Sequence, residues 1–140
     1  MGMLMARQDT HEAELREIAR FADLSAEELK AVAQAGTHLH LPADWALMSE
    51  TTPADKAYVI LSGRVAIRKN GEQIAEIGAG DILGEVGILE RRLRTAGAVS
   101  LTELTVLHFT NADLKRLVDE VPAFGQALQA TAREHLSSDD

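Results

Sequence analysis

At Gly36 the apolar spacing of this chain changes period, and it does not change back until Thr110. Before Gly36 apolar residues recur every three or four positions; after it they alternate in short runs separated by turn signals. A side-chain period near 3.6 and a period of 2 belong to different elements, so the chain must pass from helix to sheet and back to helix. That order constrains the fold more than any single motif.

The first helical stretch is expected over residues 11–22, with Leu15, Ile18 and Ala22 on one narrow face. "LSAEEL" then supplies a capping box, Ser25 at the cap and Glu28 three residues on, flanked by Leu24 and Leu29 in the positions of a hydrophobic staple. This helix should run to about Ala35, with Gly36 as its terminator. In the middle of the chain "THLHLP", "WALMSE", "AYVILSG", "RVAIRK", "EQIAEIGAG", "TAGAVSLTE" and "LTVLHFT" read as strands. Asn70-Gly71 is the strongest hairpin signal among them. Several short strands separated by turns predict a closed or rolled antiparallel sheet.

Helix returns at "TNADLKRLVDEV", where Thr110 or Asn111 can cap and Leu114, Leu117 and Val118 form the apolar face. Pro122 suits the first turn of a last helix reaching roughly Leu136, with Phe124, Leu128, Ala132 and Leu136 as its stripe. Trp45 and the phenylalanines are expected in the core. The fold class is therefore mainly β with flanking helices (α+β), an antiparallel roll of jelly-roll type. A single domain is expected over residues 1–140: helices over about 11–36, the roll over 37–110 and helices over 111–137.

With 140 residues the chain can bury a core without staples. It has no cysteine, which excludes a disulfide framework and a thiolate metal site. A net charge of −8 argues against a nucleic-acid-binding body, which needs a basic stripe to displace counterions. No segment has the length and apolarity of a signal peptide or a membrane span. The expectation is a cytoplasmic domain with no membrane insertion.

Residues 80–96, "GDILGEVGILERRLRTA", carry the chemistry. Gly78, Gly80 and Gly84 are spaced GxGxxxG, and Leu83 stands where a dinucleotide fingerprint needs its third glycine. No Gly-Lys-Ser/Thr follows, so the segment is not a P-loop. Gly84 lets the backbone turn or approach a ligand closely. "EVGILE" is long enough for a helical turn whose free amides, at Val86 and Gly87, suit an anion. Arg94 leads into Thr95, Ala96, Gly97 and Ala98, whose small side chains leave room for a group against the sheet. Its guanidinium suits a phosphate through paired hydrogen bonds. Glu85 repels a phosphate unless the same ligand also offers a hydroxyl for the carboxylate to accept.

The segment resembles the phosphate-binding cassette of the cyclic nucleotide-binding domain family. That family includes the sensor domains of catabolite-activator-type regulators, protein kinase A regulatory subunits and cyclic-nucleotide-gated channels. Residues 83–89 and 93–96 fall in register with the family pattern without a gap, and the likeness extends over roughly residues 15–136. "FADLSAEELKAVAQAG" is similar to the family's N-terminal helices, and "AYVILSGRVAI" to its central strand-glycine-strand.

The resemblance implies a non-catalytic module with no cofactor that takes a 3′,5′-cyclic nucleotide, cAMP rather than cGMP on family frequency. Glu85 would bind the ribose 2′-hydroxyl and Arg94 the cyclic phosphate. Gly84, the amides of Val86 and Gly87, Thr95 and Ala96 would complete the shell. Leu83, Thr131 and His135 are candidate purine contacts. Movement of the C-terminal helices would signal to a separate effector protein. The chain departs from the pattern at Leu83, where an aromatic is usual, and at Leu93, where proline is usual, so the loop before Arg94 is less rigid. Arg91 and Arg92 read as solvated loop charges.

Two other readings compete. A degenerate domain acting as an interaction scaffold without nucleotide would retain the fold. A cupin-type metal enzyme is suggested by His38 and His40, which share a strand face, but it requires further ligands that the spacing does not supply.

Overall fold

The computed structural model describes Leu15 and residues 18–48, 56–83 and 97–138, without the side chains of Arg20 and of residues 131–138. Helix α1 is Ala26–Ala35 and is followed by eight strands: β1 Thr37–Leu41, β2 Ala46–Met48, β3 Lys56–Ser62, β4 Arg64–Lys69, β5 Glu72–Gly78, β6 Ile82–Leu83, β7 Gly97–Ser100 and β8 Leu104–Thr110. Helices α2, Asn111–Glu120, and α3, Pro122–Ser138, close the described chain. The strands form two four-stranded sheets, ordered β1-β8-β3-β6 and β2-β7-β4-β5, with antiparallel neighbours throughout. This is the rolled antiparallel architecture with flanking helices that the change of period predicts.

The first sheet is buried on both faces, which is why β3 and β8 read as near-continuous apolar runs. Alternation sends Tyr58, Ile60, Leu83, Leu104 and Val106 inward, where they meet Leu47, Val65 and Ala98 of the second sheet. The opposite face sends Ala57, Val59, Ile82, Leu107 and Phe109 outward against the helices. There Phe124 of α3 lies between Phe21 and Phe109, ring centroids 5.5 and 6.1 Å away.

The helix starts follow the local signals. Ser25 Oγ accepts from the Glu28 N–H at 3.1 Å, and Glu28 Oε1 accepts from the Ser25 N–H at 2.8 Å. Leu24 and Leu29 on either side are both buried. Thr110 caps α2 by accepting from the Asp113 N–H at 3.1 Å. The β4–β5 turn places Asn70 at φ 54° and Gly71 at φ 81°, the twist a two-residue hairpin needs. At the β3–β4 corner Gly63 has φ 100°, and a Cβ there would stand 2.4 Å from the Glu103 carbonyl, so no other residue fits.

Two expectations are corrected, and a third is sharpened. The helix expected over residues 11–22 does not continue through Ile18, which is extended (φ −79°, ψ 119°) and precedes a 3-10 helix at Ala19–Phe21. Leu15, Ile18, Phe21 and Leu24 are buried and joined by successive three-residue backbone hydrogen bonds, whereas Ala22 is exposed. The repeat there is three, the 3-10 period, and over two turns it mimics an α-helical face. Gly36 ends α1 as expected, in an extended conformation, and a Cβ there would sit 2.9 Å from the Phe109 ring. Trp45 is half exposed instead of core; it lies in the short connection between β1 and β2.

Candidate functional site

Residues 84–96 join the two sheets. β6 is held to β3 by the pairs Tyr58↔Leu83 and Val59↔Ile82. The turn before it is also tied down: the Gly80 N–H donates to the Ile60 carbonyl at 2.8 Å, and the Ile60 N–H to the Asp81 carbonyl at 2.9 Å. The Asp81 carboxylate accepts from the Gly78 N–H at 2.9 Å. On the other side, Gly97 opens β7 opposite Arg68, and Ala98 pairs with Ile67. Leu83 and Ala98 are both buried in the interior of the roll. The segment therefore leaves the edge of one sheet and arrives inside the other, with both flanks facing the same interior.

Of the sequence-predicted site residues, Leu83 is placed in the roll interior, 3% exposed. Gly84, Glu85, Val86, Gly87, Arg94, Thr95 and Ala96 lie outside the described residues, as do Arg91, Arg92 and Leu93. Thr131 and His135 belong to α3, and their side chains are likewise outside the described set.

The described walls of the interior are apolar with a few polar points. No charged side chain is buried among the described residues. Tyr58 crosses the interior, its hydroxyl donating to the Leu47 carbonyl at 3.3 Å. Its ring packs against His108 with centroids 5.4 Å apart at 54°. By register, Thr37, His108, Tyr58 and Leu83 form one row across the first sheet, ending where residues 84–96 begin. Sequence reasoning singled out neither Tyr58 nor His108. The available signal was a tyrosine at an inward position of an otherwise aliphatic strand.

His38 and His40 do share a face, as alternate strand positions must, but it is the face away from the roll interior. His40 Nδ1 is hydrogen-bonded to the Thr105 hydroxyl at 2.9 Å. Among the described residues no three His, Asp or Glu side chains gather into a metal-holding group. Surface ion pairs there include Arg64–Glu76 and Arg116–Asp113, both partly exposed and remote in character from the apolar interior. No helix among the described residues is long and apolar enough to cross a membrane.

The described elements define the class as a helix-flanked antiparallel β-roll, with a glycine-, glutamate- and arginine-bearing stretch of sequence between β6 and β7. Residues 38–121 match the profile of the cyclic nucleotide-binding domain, and the chain belongs to that family. It is 31% identical over 121 residues to an uncharacterised NTE family protein of Mycobacterium tuberculosis, covering 85% of this chain and 21% of the relative. It is 28% identical over 123 residues to a cAMP-dependent protein kinase regulatory subunit of Aspergillus niger, covering 86% and 30%. The chain thus spans between a fifth and a third of the length of these relatives. In fold it is similar to the regulatory domain of Toxoplasma gondii PKA solved with cAMP: TM-score 0.79, 17% identity, 95% of this chain and 51% of that one. The family is one of regulatory, generally non-catalytic domains.

Proposed function

We propose that this domain binds a 3′,5′-cyclic nucleotide, cAMP in preference to cGMP, and performs no chemistry on it. Glu85 accepts from the ribose 2′-hydroxyl. Arg94 pairs with the cyclic phosphate, helped by the amides of Val86 and Gly87 and by Gly84, Thr95 and Ala96. The observation that carries this reading is the placement of Leu83 and Ala98: both flanks of residues 84–96 open on one interior whose described walls bury no charge. A charged ligand there must find its countercharge in that segment, and Arg94 supplies it. The name of the Aspergillus niger relative, a cAMP-dependent protein kinase regulatory subunit, supports cAMP as the nucleotide.

Signalling runs through the C-terminal helices. Phosphate neutralises Arg94, so the ligand binds more tightly to whichever arrangement encloses that arginine, and the population follows. Helices α2 and α3 pack on the outer face of the sheet whose edge strand leads into the segment, and we assign to them the contact with a separate effector protein in the cytoplasm.

Leu93, in place of a stiffer proline, is the one feature favouring a scaffold that has lost its ligand. Titration calorimetry with cAMP, cGMP and linear AMP separates the two. Heat with cAMP, weaker heat with cGMP and none with linear AMP is the expected result. Silence with both cyclic nucleotides, even at high concentration, overturns the sensor reading and leaves the scaffold.

A further inference from the structure

One side chain joins the two strands that bound residues 84–96. The backbone of Tyr58 pairs with Leu83, the residue before Gly84. Its hydroxyl reaches across the roll to the carbonyl of Leu47 at 3.3 Å. Leu47 lies between Ala46, paired with Val99, and Met48, paired with Ala98, where the β2–β7 register shifts. β7 in turn begins at Gly97, directly after Ala96. Tyr58 is 6% exposed and is braced from the side by the His108 ring at 5.4 Å. The path from Leu83 through Tyr58 and Leu47 to β7 is the described link that crosses the interior at this end of the roll.

We propose that Tyr58 is a positioning residue for the ligand: its hydroxyl fixes the separation between the strand that delivers Glu85 and the strand that receives Arg94. This rests on the cyclic-nucleotide reading above and deepens it. Glu85 follows Leu83 by two positions, and Arg94 precedes Gly97 by three. A ligand held at both its ribose and its phosphate must match that separation, whereas a ligand held at one end is indifferent to it. Where the separation is set before binding, the two contacts add; where it is not, ordering the segment offsets part of the second contact. Phenylalanine at position 58 keeps the ring against His108 and removes only the bridge.

The test compares the dissociation constants of cAMP and 2′-deoxy-cAMP by calorimetry, with thermal melts beside them. For the unaltered protein the 2′-deoxy analogue binds more weakly, since Glu85 has nothing to accept. In Tyr58→Phe the affinity for cAMP falls by about fivefold, the scale of one neutral hydrogen bond. The analogue loses less, so the ratio between the two ligands shrinks. Thr105→Val is the control, because it removes the hydrogen bond to His40 on the opposite face of the same sheet. It lowers the melting temperature and leaves the ratio alone. A Tyr58→Phe protein with an unchanged ratio overturns the inference, whatever its melting temperature. If the unaltered protein binds neither ligand, the cyclic-nucleotide reading itself fails, and that failure is seen before any variant is made.

Discussion

The two buried faces of the first sheet are built from the same strands and yet differ in kind. The outer face is sealed chiefly by apolar side chains, with Phe21, Phe109 and Phe124 at its centre and Leu15, Ile18, Phe21 and Leu24 laid over it, while His38 and the His40–Thr105 pair stand on its β1 side. The inner face is lined by Tyr58, Ile60, Leu83, Leu104 and Val106, and it includes the half-buried His108. Leu39, Leu41, Ile67 and Ile77 at its margins are only partly buried. One face is built around three packed rings; the other carries Tyr58 and His108 in the row that ends at Leu83. On the function proposed above, stability and recognition are separated by the thickness of a single sheet, because alternation along β3 and β8 sends consecutive residues to opposite faces.

If that separation is real, the largest stability loss comes from the outer face. Phe124 is fully buried between two other rings. Phe124→Ala should cost about 3–5 kcal/mol of unfolding free energy, read by denaturant melts, from lost burial plus the cavity left behind. A loss below about 1 kcal/mol would mean that α3 is not the seal the packing implies. The counterpart for the proposed ligand is Arg94→Ala, which should weaken cAMP binding by about 2–5 kcal/mol in calorimetry. It should leave the melting curve of the free protein nearly unchanged. Arg91→Ala and Arg92→Ala should barely alter binding, and equal effects from all three arginines would remove Arg94 from the phosphate.

Much of this division was legible before any coordinates. The capping box at Ser25 and Glu28, the hairpin at Asn70-Gly71 and the cap at Thr110 are local devices, set by residues within three positions of one another. What was not legible depends on distant partners. A repeat of three and one of 3.6 diverge too little over two turns to tell the turns at Leu15 to Leu24 from a helix. Gly36 was legible as the helix terminator, but not its fit under the Phe109 ring, more than seventy positions away. Trp45 looked like core because alternation does not say where a strand passes the rim of a roll. For the site, the spacing of Glu85 and Arg94 was readable from the sequence, and the structure adds the two strands, ending at Leu83 and starting at Gly97, that flank the segment. Tyr58 was missed because its partners, Leu83 and Leu47, become neighbours only when both sheets are in register.

Ser100 offers a middle-sized test on β7, two residues beyond Ala98 and at the turn that leads into β2. It is fully buried; its hydroxyl accepts from the Trp45 N–H at 2.8 Å and donates to the Pro42 carbonyl at 2.6 Å. Its backbone exchanges hydrogen bonds with Asp44 and Trp45, clamping a turn in which Asp44 has φ 63°. Ser100→Ala leaves two backbone groups without their partner and should cost about 1–3 kcal/mol. Trp45 is the chain's one tryptophan, so its fluorescence reports the loosened turn directly. Affinity for cAMP should hold so long as the Tyr58–Leu47 bridge keeps its place when the turn before β2 loosens. A matched loss of affinity would show that the inner face acts as one unit along its length.

The smallest effect asks whether the outer layer is energetically separate from the ligand. Ser25 is exposed, and its hydroxyl serves only the first turn of α1, so Ser25→Ala should cost about 1 kcal/mol through the lost cap. The Glu28 carboxylate keeps its bond to the backbone N–H of residue 25, which holds the loss to that scale. Melts with and without saturating cAMP should shift by the same amount, because α1 packs only on the outer face. An unequal shift is informative in sign. If the variant loses less in the presence of cAMP, the ligand-bound state no longer relies on α1, and the helical layer is part of what the ligand moves.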